Sequence, residues 1–375
     1  MSPGFRVATF MAAVFSVTAV GAFMPLWFSD RGLSAGAIGQ VLGFVSLFRV
    51  LSGPGWGTMA DRIGSRRPVM TTAACVAMTM SLLFTASDAF MPILLVASVQ
   101  AIAASALAPL SDSLALALAR EGKMEYGPVR AVGSIAYMVV TAAAGHALAV
   151  VGAALVPWLQ ALGYGFASLF ARLLPEAATP PRAPHVRGGW ALFRLKPFRL
   201  TVACTALTQG SHAAYYGFAA ISWRSQGIGD GTIGLLFAEA IIAEIALFLR
   251  GRRLVERLGP AGLTACAAGA AVVRWTAMAF APPLPVLAVL QLLHAATFAM
   301  QHLAAMMVLS RSVPPERAAT AQALHSALGH GVPNGLMMLL TGFLYARLGE
   351  RAFLAMAVSA GLALFLVAPL RRAGR

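Results

Sequence analysis

At 375 residues, 59% hydrophobic and only 11% charged, with a mean hydropathy of +0.77, the chain lies far outside the composition of a soluble globular protein and reads as a polytopic membrane protein. The formal net charge of +15 would suit a nucleic-acid partner, but the basic residues gather at the ends of apolar runs, where they set topology and meet anionic lipid heads instead. Cys75, Cys204 and Cys266 all fall inside such runs, which excludes a secreted disulfide framework or a CxxC metal site and leaves no sign of redox chemistry.

A spanning helix needs about 20 mostly apolar residues. Twelve runs qualify: 6–28, 37–59, 68–87, 91–119, 127–148, 150–172, 198–222, 231–251, 261–280, 284–310, 317–346 and 350–370. The first is too long for a cleavable signal, and no small-residue cleavage site follows Leu26-Trp27-Phe28, so it is expected to stay as the first span. With the N-terminus inside, Arg62, Arg66, Arg67, Arg194, Lys196, Arg199, Arg250, Arg252 and Arg253 fall on the inner side, with only Arg31, Arg224, Arg347 and Arg351 outside. The positive-inside rule then places both termini in the cytoplasm of a bacterial inner membrane.

The polar interval 173–197, rich in Pro and Arg, divides six spans from six. It reads as a cytoplasmic linker between an N-terminal bundle, 1–172, and a C-terminal bundle, 198–375. A shift of 195 residues brings Gly32, Gly36, Ile38 and Gly39 onto Gly227, Gly231, Ile233 and Gly234, and Asp61-Arg62-Ile63-Gly64 onto Glu256-Arg257-Leu258-Gly259. Parallel six-span repeats enclosing a midplane site describe a rocker-type secondary transporter. The expected fold is therefore all-α, with twelve transmembrane helices in two pseudo-symmetric six-helix bundles.

Between the second and third runs, Gly57-Thr58-Met59-Ala60-Asp61-Arg62-Ile63-Gly64-Ser65-Arg66-Arg67 resembles the loop signature of the major facilitator superfamily, with a weaker copy from Gly251 to Gly259. The resemblance covers the whole chain through its twelve-span, two-half layout. In physical terms Gly57 lets a helix end approach its neighbour, Asp61 can cap or pair across a helix end, and Arg62 and Arg66 hold the cytoplasmic side around the turn at Gly64. The segment is a gate or latch, or no more than a tight basic turn that sets topology. Further resemblance, in Gln209-Gly210-Ser211-His212-Ala213-Ala214-Tyr215-Tyr216-Gly217-Phe218, Val273-Arg274-Trp275, Leu293-His294, Pro109 to Asp112 and Tyr126 to Arg130, points to the phenylpropionic acid transporter branch, proton symporters akin to the lactose permease.

No GxxxxGK[ST] motif occurs, so a gradient must supply the energy. A charge at bilayer depth costs about 3 kcal/mol on insertion scales, and such residues usually face a cavity or partner. Asp112 and Arg130 flank the turn between the fourth and fifth spans, at similar depth on antiparallel helices. Their 18-residue spacing matches the acid and arginine that bind substrate in lactose-permease-like transporters, and the resemblance puts Tyr137 where that family stacks an aromatic ring on substrate. Arg130 offers a planar fork for a substrate carboxylate, and Asp112 can hold it between substrates; a purely structural ion pair is the alternative. On the seventh span Gln209, His212, Tyr215 and Tyr216 share a face, as do His294, Phe298 and His302 on the tenth. These stripes line the cavity or make interhelical hydrogen bonds.

The resemblance gives Arg274 and His294 proton and coupling roles, but where that family has an acid three residues after the histidine, this chain has Thr297. The available carboxylates are then Glu239 and Glu244 on the eighth span. Five residues apart, they point about 140° away from each other around a helix. Counting depth favours Glu239 opposite Arg274, whereas the branch resemblance of the segment AEIALF and the pseudo-symmetry of Arg49 with Glu244 favour Glu244 for protonation, with Glu239 second. His294, His302, His325 and His330 form no compact ligand motif, so no metal and no cofactor are expected.

The expected protein is a monomeric, non-enzymatic transporter in the lipid bilayer that couples protons to uptake of a small aromatic carboxylic acid such as 3-phenylpropionate, its ring meeting Tyr137, Tyr215 and Tyr216 while one bundle rocks against the other. The alternatives are a sugar or nucleoside symporter or a drug exporter of the same fold, and, from another class, a membrane-embedded enzyme, for which no nucleophile, base and metal grouping is found.

Overall fold

A computed structural model describes residues 1–176 and 189–373. Among them every regular element is helical, as the composition requires. The chain runs through α1 (Pro3–Gly21), α2 (Met24–Asp30), α3 (Ala35–Ile63), α4 (Arg66–Leu83), α5 (Phe90–Ala104), α6 (Leu107–Arg120), α7 (Tyr126–Val151) and α8 (Val156–Arg172). It continues with α9 (Lys196–Gly210), α10 (Ala213–Ser225), α11 (Asp230–Arg250), α12 (Arg252–Met278), α13 (Leu284–Leu292), α14 (Gln301–Ser312), α15 (Ala318–His325), α16 (Val332–Leu348) and α17 (Phe353–Ala373).

Ten stretches of the described residues are long and apolar enough to cross a membrane. Two further spans complete the expected set. The helices α9 and α10, of 15 and 13 residues, form the seventh span together, and the stretch Ala318–Ala373 holds both the eleventh and twelfth, divided at the 3-10 turn Gly349–Ala352. Of the expected linker 173–197, residues 177–188 lie outside the described residues. Its remainder includes the 3-10 turn Gly189–Arg194, anchored by the buried Leu192, which leads into α9.

The 195-residue repeat has a local physical cause. Gly32 and Gly227 both adopt left-handed φ, 79° and 83°, as do Gly64 and Gly259, 74° and 61°. Residues with a Cβ rarely tolerate that conformation, so glycine is retained at the same turn in each half. The helices that follow the first pair begin at equivalent places, α3 at Ala35 and α11 at Asp230. At Gly259 the α12 run bends, and Pro260 opens its second leg, where a missing N–H is harmless.

Four of the irregular spans recur every third span. The first splits between α1 and α2, the fourth between α5 and α6 and the seventh between α9 and α10, while the tenth carries a π segment at Ala295–Met300 between α13 and α14. A second π segment, Ser326–Gly331, lies between α15 and α16. Irregular backbone at bilayer depth survives only where protein or a water-filled cavity can satisfy it.

The chain divides into two compact units, one of Met1–Ala183 with Gly229–Ala238, the other of Pro184–Ile228 with Glu239–Arg375. Lipid tails are as apolar as leucine, so each unit is held by close packing more than by removal of apolar surface from water. The core of the first joins Val7, Phe10, Met11 and Val14 of α1 to Ala73, Ala74 and Ala77 of α4 and Ala167 and Ala171 of α8. Small residues permit that proximity: a Cβ on Gly163 of α8 would collide with the Val17 side chain of α1.

Candidate functional site

In the second unit, sequence-local features deliver a set of polar groups to one buried place. The α9/α10 break presents Ser211 and His212; α10 supplies Tyr215, α12 supplies Arg274 and Trp275, and α13 with the following π segment supplies Gln291, His294, Thr297 and Phe298. Arg274 is fully buried. Its Nη2 donates to Gln291 Oε1 at 2.9 Å and its Nη1 to His294 Nδ1 at 3.1 Å and Thr297 Oγ1 at 3.3 Å. The guanidinium also lies 4.4 Å from the Tyr215 ring centroid and 4.8 Å from that of Trp275, and its Nε has no hydrogen-bond partner.

An arginine only donates, so His294 Nδ1 must accept, and the proton of the neutral imidazole then sits on Nε2. That nitrogen is 3.6 Å from Glu244 Oε2. His294 thus bridges Arg274 and Glu244. The 140° between the two glutamates decides which one reaches the imidazole, and helix facing is set by packing; the depth count that favoured Glu239 ignored both facing and tilt. Among the described residues Glu239 has neither ion pair nor hydrogen bond.

The aromatic face of the seventh span is packed into the same core. His212 is fully buried, with Nδ1 3.1 Å from Thr208 O in its own span and Nε2 3.1 Å from Thr297 Oγ1 on the tenth, so both of its nitrogens are engaged. Tyr215 donates to Gln291 Oε1 at 3.1 Å, and Tyr216, 38% exposed, stacks on His212. Gln209 Nε2 donates to the Phe298 carbonyl at 3.0 Å, while its Oε1 is buried without a partner. The rings of His294 and Phe298 stack at 5.4 Å. His302 does not join them: the wider turn of the π segment rotates α14 out of the expected i, i+4, i+8 line, and His302 is exposed with no hydrogen bond among the described residues.

In the first unit, Asp112 of α6 and Arg130 of α7 meet at 3.8 Å, with about a third of each side chain exposed, 36% and 34%. This is longer than a charge-assisted hydrogen bond, so the two charges face each other without clamping. Tyr126 Oη donates to Asp112 Oδ1 at 3.3 Å, Arg130 Nη1 donates to Ser134 Oγ at 3.4 Å, and the guanidinium stacks 4.3 Å from the Phe15 ring centroid. Phe15 comes this close because Gly133 lacks a side chain; a Cβ there would lie 2.8 Å from the ring. Tyr137 is half-buried two turns further along α7.

In the loop after α3, Gly64 makes the left-handed cap and Arg66 opens α4. Asp61 and Arg62 are exposed, and among the described residues Asp61 forms no ion pair. A Cβ on Gly57 would meet nothing within 4 Å, so the expected close helix approach at that glycine is absent. No three His, Cys, Asp or Glu among the described residues are placed to hold a metal.

Sequence reasoning passed over Gln291, the acceptor shared by Arg274 and Tyr215, and Phe15, the platform for Arg130. An amide inside an apolar run was a usable signal for the first. The second lies on a different span from its partner, and only the packing discloses it.

Residues 9–355 match the family described as MFS_1 like. A probable 3-phenylpropionic acid transporter of Escherichia coli (strain K12) is 30% identical over 358 residues, covering 92% of this chain and 93% of that protein. The maltose permease of Geobacillus stearothermophilus is 28% identical, over 88% and 85% respectively. Of solved structures, the nucleoside transporter NupG superposes with a TM-score of 0.85 at 15% identity over 100% of both chains. A POT family transporter solved with 5-aminolevulinic acid gives 0.74 at 10% identity, over 100% and 96%. These two likenesses speak for the fold alone.

Proposed function

Because the chain belongs to the MFS_1 like family of major facilitator transporters, and so is a multi-pass secondary transporter and not an enzyme, we propose that it couples proton movement to uptake of a small aromatic carboxylic acid of the 3-phenylpropionate kind. The observation that carries this reading is the contact series Glu244, His294, Arg274 in the second unit. A buried guanidinium is costly without a compensating charge. When Glu244 is ionised, its field reaches Arg274 across one imidazole; when Glu244 is protonated, only neutral oxygens and ring faces support the cation. The proton on Glu244 therefore changes the energy of a group tied to α10, α12, α13 and the π segment, which is the differential interaction that a conformational shift needs.

Substrate selection is assigned to the first unit. Arg130 offers the fork that matches a carboxylate, Asp112 faces it when the substrate is absent, and Phe15 and Tyr137 provide ring surfaces. The 30% identity to a probable 3-phenylpropionic acid transporter supports the same substrate class.

Uptake of labelled 3-phenylpropionate, a glucoside and a nucleoside into proteoliposomes under an imposed pH gradient tests the reading. The expected outcome is gradient-dependent accumulation of phenylpropionate alone. With Glu244→Gln, accumulation should vanish while exchange across equal pH persists; unchanged accumulation would remove Glu244 from coupling. A sugar substrate is the second reading, favoured by the buried, unpartnered amide oxygens of Gln209 and Gln301 and by the likeness to a maltose permease. Glucoside flux without phenylpropionate flux would establish it.

A further inference from the structure

A cavity of about 550 Å³ opens in the second unit among α12, α14 and α17, lined by Arg257, Arg311, Arg371, Pro260, Gly262 and Val367 among others. Among the described residues no carboxylate lines it. All three arginines are exposed, and among the described residues none has an ion pair or hydrogen bond. Three cations around one space repel each other, and the nearby low-dielectric helix bundle weakens screening, so the arrangement is completed by an anion. The bend at Gly259 adds to this field: the first turn of the leg that starts at Pro260 lines the same space, and the positive end of a helix favours negative charge.

The apolar surroundings select the kind of anion. Leu364, Val367 and Arg371 stand at i, i+3 and i+7 on one face of α17. Leu364 is 41% exposed and Val367 reaches the cavity. An apolar strip thus leads along the outer surface of α17 to a guanidinium, the pattern of an acyl chain ending in a charged head. We propose that this cavity binds the phosphate of an anionic phospholipid, with Arg257, Arg311 and Arg371 around the head group and an acyl chain along Leu364 and Val367. A neutral, zwitterionic head would keep its own cation against the arginines and bind less well. Free phosphate would forgo the strip.

Native mass spectrometry of the full-length protein in detergent tests this, after incubation with phosphatidylglycerol, with phosphatidylcholine of the same acyl chains, or with inorganic phosphate. The expected result is one retained phosphatidylglycerol, at least tenfold over phosphatidylcholine, and a loss of at least tenfold in the combined variant Arg257→Gln, Arg311→Gln, Arg371→Gln. A control variant, Arg347→Gln, should retain the lipid. Thermal unfolding of both variants establishes that they are folded, and the corresponding triple lysine variant, which keeps the charge, should recover part of the binding. Equal retention of phosphatidylglycerol by wild type and a folded triple glutamine variant overturns the proposal. So does equal retention of the two lipids, or binding of inorganic phosphate without phosphatidylglycerol.

Discussion

Arg274 has no exposed surface, and one side chain, His294, stands between its guanidinium and the Glu244 carboxylate. Replacing His294 by Phe removes one of the two acceptors of Nη1, leaving Thr297 Oγ1, and should lower stability by about 1–3 kcal/mol, the cost of leaving a buried N–H unsatisfied. His294→Gln returns an acceptor but not the rigid ring whose two nitrogens face Arg274 and Glu244 at once; it is expected to restore most of the stability without restoring proton-driven accumulation. Thermal unfolding and uptake measured on both variants separate packing from coupling, and full transport in His294→Gln would show the imidazole to be a structural spacer. In the first unit, Arg130→Lys keeps the charge and loses the planar fork. For a carboxylate substrate the expectation is a KM raised roughly tenfold or more, equivalent to about 1.4 kcal/mol, in initial-rate uptake; an unchanged KM would assign Arg130 to structure. Intramembrane ionisable residues announce themselves in a sequence because leucine would otherwise stand there, so Asp112, Arg130, Glu239, Glu244 and Arg274 were all legible. Which of them touch was not, because contact across spans depends on helix rotation that one sequence does not encode locally.

Element by element, the helices are held together by small residues at their crossings. Gly145 of α7 and Gly234 of α11, both in the first unit, face each other so closely that a Cβ on Gly145 would lie 2.6 Å from the Asp230 carbonyl oxygen and 2.9 Å from Gly234 Cα. Backbone atoms cannot step aside as a flexible side chain can. Gly145→Ala should therefore cost about 1–3 kcal/mol by overpacking, visible as a fall in unfolding temperature. At Gly269 of α12 a Cβ would meet nothing within 4 Å, so Gly269→Ala should be neutral or slightly stabilising, because alanine propagates a helix better than glycine. Equal effects at the two positions would refute the packing argument. The π segment at Ala295–Met300 belongs to this scale too. It brings His294, Thr297 and Phe298 to Arg274 and His212 while turning His302 away, and no hydrophobic period in the sequence marks it, since one extra residue in a turn alters facing but not composition.

For the whole molecule, the distribution of Lys and Arg argues for both termini on the cytoplasmic side of a bacterial inner membrane. A C-terminal green fluorescent protein fusion should then fluoresce, and an alkaline phosphatase fusion at the same place should be inactive; the opposite pair of results would invert the topology. The sequence by itself determined the number of spans, because length and apolarity are properties of a contiguous segment. It also determined the repeat, because left-handed φ at Gly32, Gly64, Gly227 and Gly259 is a demand that a turn makes on its own residue. The tertiary structure alone decided that Glu244 and not Glu239 lies against His294, that Phe15 carries Arg130, and that Arg257, Arg311 and Arg371 share one cavity. These outcomes rest on the rotation, tilt and bending of helices packed against one another, and a helix's rotation is settled only by the surfaces that it meets.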